Sequence, residues 1–162
     1  MTEVKITRTE SALAEDATFH SVVELLGGSR VFRKALTSRL DAHDLILRGL
    51  PSAALLHLTN HVVFLREEAD FWRAIGMSVR TLQRRREEPR PLSEEQGGRT
   101  WKFAEVLARA IRVFGSQEEA ERWLKSNVLP LSNRRPIDLL ATPTGVEMVE
   151  TLLTQLEHGV YV

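Results

Sequence analysis

The sequence predicts an all-α protein. Three observations carry that expectation. Apolar residues recur at three- and four-residue spacings along nearly every segment, glycines and prolines fall where helices would stop and start, and a Ser or Thr precedes several of the starts. At 162 residues and 43% hydrophobic content, the chain has material for one or two small cores.

The elements follow in order. Residues 1–17 carry no firm pattern and are expected to form a mobile arm. Phe19, Val22, Val23 and Leu26 share one helical face, and Gly27-Gly28 ends that helix. Ser29 is expected to cap the next helix, with Phe32, Leu36 and Leu40 inward. Leu45 to Leu47 form a short helical turn closed by Gly49, and Pro51 opens a helix to about Phe64. Two helices then flank Gly76, and Pro89 and Pro91 break the pattern, dividing an 18–92 domain from a 93–162 domain.

Ser93-x-x-Gln96 reads as a capping box ahead of Trp101, Val106, Leu107, Ala110, Ile111 and Phe114, with Gly115 as the stop. Ser116-x-x-Glu119 repeats the device before Ala120, Trp123 and Leu124. Trp101 and Trp123 are expected in the core. After a polar loop containing Asn127, Asn133, Arg134 and Arg135, Pro136 starts a short helix. Thr142-Pro143 supplies an N-cap and first-turn proline for the last helix, and Gly159 ends it.

Formal charge is +0, so a nucleic-acid signal must be local. It is local: Arg80, Arg84, Arg85, Arg86 and Arg90 crowd one stretch, while the chain from Ala141 onward holds Glu147, Glu150 and Glu157 and no Lys or Arg. The absence of Cys excludes disulfides, thiolate metal sites and cysteine nucleophiles. No apolar h-region opens the chain and no apolar run has membrane-spanning length, so a cytoplasmic protein without a membrane partner is expected.

The helices on either side of Gly76 have helix-turn-helix spacing, in which the second helix enters a DNA major groove. At about 100° per residue, Val79 and Leu82 face the core, Arg80, Thr81 and Arg84 face away, and Arg85 sits at the flank. Ser78, Arg80, Thr81, Arg84 and Arg85 are the candidate DNA contacts, because arginine forks onto guanine edges or phosphates and hydroxyls reach the backbone. Arg86 is expected to snorkel or pair within the protein. The same arginines also suit a plain solvated helix face. Trp72 stands four positions before the turn glycine, where a small residue is usual; it implies an altered crossing angle or an outward-turned indole.

From about Gly49 onward the residue order resembles the Xre/MbcA/ParS antitoxin family. The resemblance rests on Gly76-x-Ser78-x-x-Thr81-Leu82-x-Arg84-Arg85, Leu92-Ser93, Arg99, Val113-Phe114-Gly115 and Ala120-x-x-Trp123-Leu124. It continues through Leu131, Pro136, Leu139-Leu140, Thr142, Gly145 and His158-Gly159-Val160-Tyr161. It implies an Xre-like helix-turn-helix domain that binds operator DNA, followed by a small α-helical toxin-binding domain. It further implies a cognate RES-type toxin that consumes NAD, neutralised by covering its active site, and repression of the shared operon. A homodimer within a toxin–antitoxin hetero-oligomer is expected, since paired half-sites suit helix-turn-helix proteins.

In the last helix Val146, Val149, Leu152, Leu153 and Leu156 form an apolar stripe with Met148 at its edge, which suits a terminal helix packed on its own core and, being wide, leaves apolar area for a partner as a second reading. Tyr161 has the stiff amphipathic surface of an interface anchor, the other reading being a frayed terminus. Glu150, Thr154, Glu157, His158, Gly159, Val160, Tyr161 and Val162 are therefore the candidate toxin contacts, the acidic tail complementing an arginine-lined cleft.

Catalytic patterns are poor. His57 and His61 are four apart, but no glutamate follows His57 and no third ligand lies near, so neither a metal site, a cofactor nor an enzyme is expected. Two other readings remain: a stand-alone helix-turn-helix regulator whose C-terminal domain dimerises, and a small α-helical enzyme or metal protein using His57 and His61.

Overall fold

The computed structural model describes the backbone of residues 2–159 and the side chains of residues 12–159. The described residues are all-α: α1 (Thr2–Leu25), α2 (Arg39–Arg48), α3 (Ser52–His61), α4 (Glu68–Ile75), α5 (Val79–Glu87), α6 (Glu94–Phe114), α7 (Gln117–Lys125), α8 (Pro136–Leu139) and α9 (Pro143–Glu157). Their sole extended pairing is an antiparallel bridge between Val128 and Arg134.

The starts use the chemistry that the sequence advertises. Ser93 and Gln96 exchange hydrogen bonds in a full capping box, whereas Ser116 and Thr142 cap α7 and α9 through Glu119 N–H and Gly145 N–H. Gly76 and Gly115 close α4 and α6 in the left-handed conformation, at φ 73° and 86°.

Three local expectations change. The stretch without periodicity at the N-terminus is helical from Thr2 and continuous with the Phe19 helix. The helix expected from Ser29 shrinks to a 3-10 turn at Gly28–Arg30, and the real start is Ser38, which forms a capping box with Asp41. Asp41 also takes hydrogen bonds from the Thr37 backbone and hydroxyl, which outcompete an earlier start and lower its pKa. Leu40, expected inward, is consequently 67% exposed. Pro51 occupies the N-cap of α3 rather than its first turn, and α3 ends at His61, before a 3-10 turn at Val63–Arg66.

α6 is the axis of the molecule. It packs against α1, α2, α4, α7 and α9, and its Phe103, Ala104, Val106, Leu107 and Ala110 are essentially fully buried. One apolar cluster runs from Val22 in α1 and Leu26 just after it, through Phe71 and Ile75 in α4, to Ile137 and Leu153 in α8 and α9. Trp101 is buried against Phe19, and Trp123 is half-buried on Phe114, with ring centroids 5.8 and 5.2 Å apart.

Candidate functional site

The segment around Gly76 has helix-turn-helix geometry. Gly76 turns the chain out of α4 in the left-handed region, where a Cβ is disfavoured and where Arg99 occupies the space it would need. Ser78 restarts the chain as N-cap of α5: its hydroxyl accepts from Thr81 N–H at 3.1 Å and bonds the Thr81 hydroxyl at 3.0 Å. Leu82 is buried and Val79 half-buried, as the helical spacing requires.

Arg80 and Arg84 are exposed and Arg85 is half-buried. Among the described residues, none of the three makes a side-chain hydrogen bond or ion pair within 4 Å. Arg86 donates to Asn60 Oδ1 at 3.1 Å, which ties α5 to the end of α3. Trp72 resolves its alternative outward, at 58% exposure, beside this helix pair.

The second candidate region is the end of α9. Val149, Leu152 and Leu153 are buried, and Val146 and Leu156 half-buried, so the apolar stripe is largely consumed by its own core. Met148, 43% exposed, is what remains of it for a partner. Glu150 accepts from Lys102 at 3.0 Å, and Thr154 from Arg109 at 2.7 Å. Glu157 receives both Arg109 and Arg112, at 3.2 and 2.8 Å. Burial opposes the charge on Lys102, but Glu105 and Glu150 outweigh it and raise its pKa.

Arg112 also donates to the Ala14 carbonyl and the Thr18 hydroxyl, joining α1 to the last turn of α9. The result is a groove of about 590 Å³ between α1 and α9 with α6 beneath it. His158 Nδ1 donates to the Thr154 carbonyl at 2.7 Å, and Gly159 turns the chain at φ 69°. Val160, Tyr161 and Val162 lie outside the described residues.

Sequence reasoning missed one set of charges. Asp70 of α4, 2% exposed, meets Arg135, Lys125 and Arg73 at 3.3, 3.5 and 3.6 Å. Asp138 of α8 receives Arg73 at 3.1 Å and two hydrogen bonds from Arg135. The Arg135 hydrogen bonds hold Asp138 below the usual carboxylate range and lift Arg135 in turn. The one sequence cue was the Arg135-x-x-Asp138 spacing; nothing local to it points to a residue 65 positions upstream.

His57 and His61 stack with centroids 4.1 Å apart, each Nδ1 directed at a backbone carbonyl, of Leu25 and His57 respectively. Among the described residues no three His, Cys, Asp or Glu side chains gather as a metal site, and no helix is long and apolar enough to cross a membrane.

Comparison with known proteins finds two successive family matches in the chain. Residues 41–105 match the family model of the antitoxin Xre-like helix-turn-helix domain, and residues 109–159 that of the antitoxin Xre/MbcA/ParS C-terminal toxin-binding domain. The junction between the matches falls within α6. An antitoxin Xre of Pseudomonas putida is 32% identical over 124 residues, 76% of this chain and 76% of the relative. An antitoxin Xre of Yersinia enterocolitica is 35% identical over 58% of this chain and 64% of its own length. One of Photorhabdus laumondii is 26% identical over 69% and 75%.

Proposed function

The chain belongs to the Xre antitoxin family of toxin–antitoxin systems, and from that premise we propose how it performs the two halves of that role. It neutralises a RES-type, NAD-consuming toxin by laying the end of α9 and the residues after it over the toxin's active site. It represses its own operon by placing α5 in the major groove of operator DNA. Two copies act together, so that paired recognition helices meet paired half-sites. Both tasks lie in the cytoplasm.

The observation that carries this reading is the succession, in one chain, of a helix-turn-helix match and a toxin-binding match. The site geometry agrees with it. Among the described residues Arg80, Arg84 and Arg85 have no side-chain partner, on the side of α5 away from the core, which suits phosphates or guanine edges. In contrast, Glu150 and Glu157 are already held by α6 cations, so their part in toxin binding is to fix the surface from which His158, Gly159, Val160, Tyr161 and Val162 reach the toxin.

Co-expression with the adjacent gene tests the proposal. The neighbour is expected to arrest growth and deplete NAD alone, to be harmless together with this chain, and to co-purify with it. A neighbour that leaves NAD untouched overturns the RES assignment. A neighbour that does not bind overturns the toxin half altogether.

A further inference from the structure

The helix-turn-helix is gripped from outside by the other half of the chain. Arg135, at the start of α8, forks onto Asp138 and reaches buried Asp70 with the same Nη2 at 3.3 Å, while Asp138 also takes the Arg73 guanidinium at 3.1 Å. On the backbone side, Arg99 of α6 donates to the Arg73 carbonyl at 2.6 Å and packs over the Gly76 turn. α4 is therefore held on its side chains by α8, through Asp70 and Arg73, and at the Arg73 carbonyl by α6. The partner helix α5 is held separately, by Leu82 in the core and by Arg86 on Asn60 of α3.

The net stability gained from this arrangement is modest. Asp70 Oδ2 is buried without a hydrogen bond, and Arg73 is 40% exposed, so the cluster combines a desolvated carboxylate with a solvent-screened partner. Planar, multidentate guanidinium pairs are instead good at fixing direction. Direction is what a helix-turn-helix needs, because α5 reads a groove only while α4 holds its angle across the Gly76 hinge.

We infer that Arg135 and Asp138 of α8 are positioning residues for DNA binding: acting through Asp70 and Arg73, they set the angle between α4 and α5. Neither residue touches DNA. The short helix of the toxin-binding half is thus a working part of the DNA-binding half. This rests on the reading of α5 as an operator-binding helix.

The test is binding of the full chain to a labelled duplex from upstream of its own gene, by fluorescence anisotropy across a salt series. It is run well below the melting temperature, with circular dichroism confirming the fold. Asp138→Asn is expected to weaken binding roughly 5- to 20-fold, and Asp138→Glu to recover most of it. The slope of log affinity against log salt stays at the wild-type value, because no phosphate contact is lost. Glu119→Gln, which removes an exposed ion pair on α7, leaves affinity unchanged.

A folded Asp138→Asn chain that binds as wild type overturns the inference; so does a weakened variant with a shallower salt slope, which would make α8 a DNA contact itself. Should Asp138→Asn fail to fold, Arg73→Lys, which keeps the charge but loses the fork, takes its place with the same expected loss. Wild-type affinity in that variant is equally fatal. A wild-type chain that binds no duplex is a different outcome: it removes the operator reading and this inference with it.

Discussion

At the scale of single residues, Gly145 shows how little room the chain leaves. A Cβ there would collide with the Leu139 backbone carbonyl, because the first turn of α9 rests directly on the end of α8. Its N–H also donates to the Thr142 cap, so the backbone cannot back away without losing that bond. Gly145→Ala is expected to cost about 3 kcal/mol as an overpacking change, and to lower the melting temperature by roughly 6–12 °C in a scanning calorimeter. Asp138 makes a prediction of a different kind. Its native pKa lies below the ordinary 3.8, so its pairing stabilises the fold fully above that value and is lost as pH falls through the lowered native one. In urea titrations Asp138→Asn should therefore be less stable than wild type at about pH 5.5, and the gap should narrow as acidification carries the carboxylate below its ordinary range and through its lowered native pKa. A gap independent of pH would mean that the carboxylate charge does not stabilise this contact.

At the scale of elements, what was legible in the sequence is what local chemistry decides. The Ser93 and Ser116 caps, the Gly76 and Gly115 stops and the inward faces of α6 and α9 all stand where spacing and punctuation put them. The start of α2 did not, since Ser29 was the expected cap and only the Thr37-Ser38-Asp41 set, nine positions on, closes a reciprocal box. Residues 2–17 were illegible because their helix has no apolar stripe to announce it. The exposed face of α5 was legible, and it yields a graded expectation. Arg80→Ala and Arg84→Ala should each reduce the salt slope of operator binding by about 0.9 if the guanidinium meets a phosphate. A side chain that instead forks onto a guanine leaves most of that slope and costs discrimination at one base pair. Ser78→Ala should cost about 1 kcal/mol of stability, because its hydroxyl is committed to the cap of α5 before any DNA arrives.

At the scale of the whole molecule, the contacts that organise both candidate sites join residues far apart in sequence, and no local pattern could have found them. Asp70 meets Arg135 across 65 positions, and Arg112 reaches Ala14 across 98. The second of these bears on toxin binding. Arg112 holds α1 with one nitrogen and Glu157 with the other, and Arg109 adds a second bond to Glu157. The chain thus leaves α9 from a point fixed by α1 and α6 together, which lowers the ordering cost of whatever the following residues bind. Truncation after His158 should then weaken toxin binding about 30-fold or more, since it removes Tyr161, the proposed aromatic anchor. Arg112→Ala, outside the contact set, should keep the anchor but loosen its base, raising the dissociation rate roughly 5- to 10-fold with little change in association. Surface plasmon resonance with immobilised toxin separates the two. An unaltered dissociation rate in Arg112→Ala would leave the contacts alone to carry affinity, and unchanged binding by the truncated chain would remove the tail from the interface.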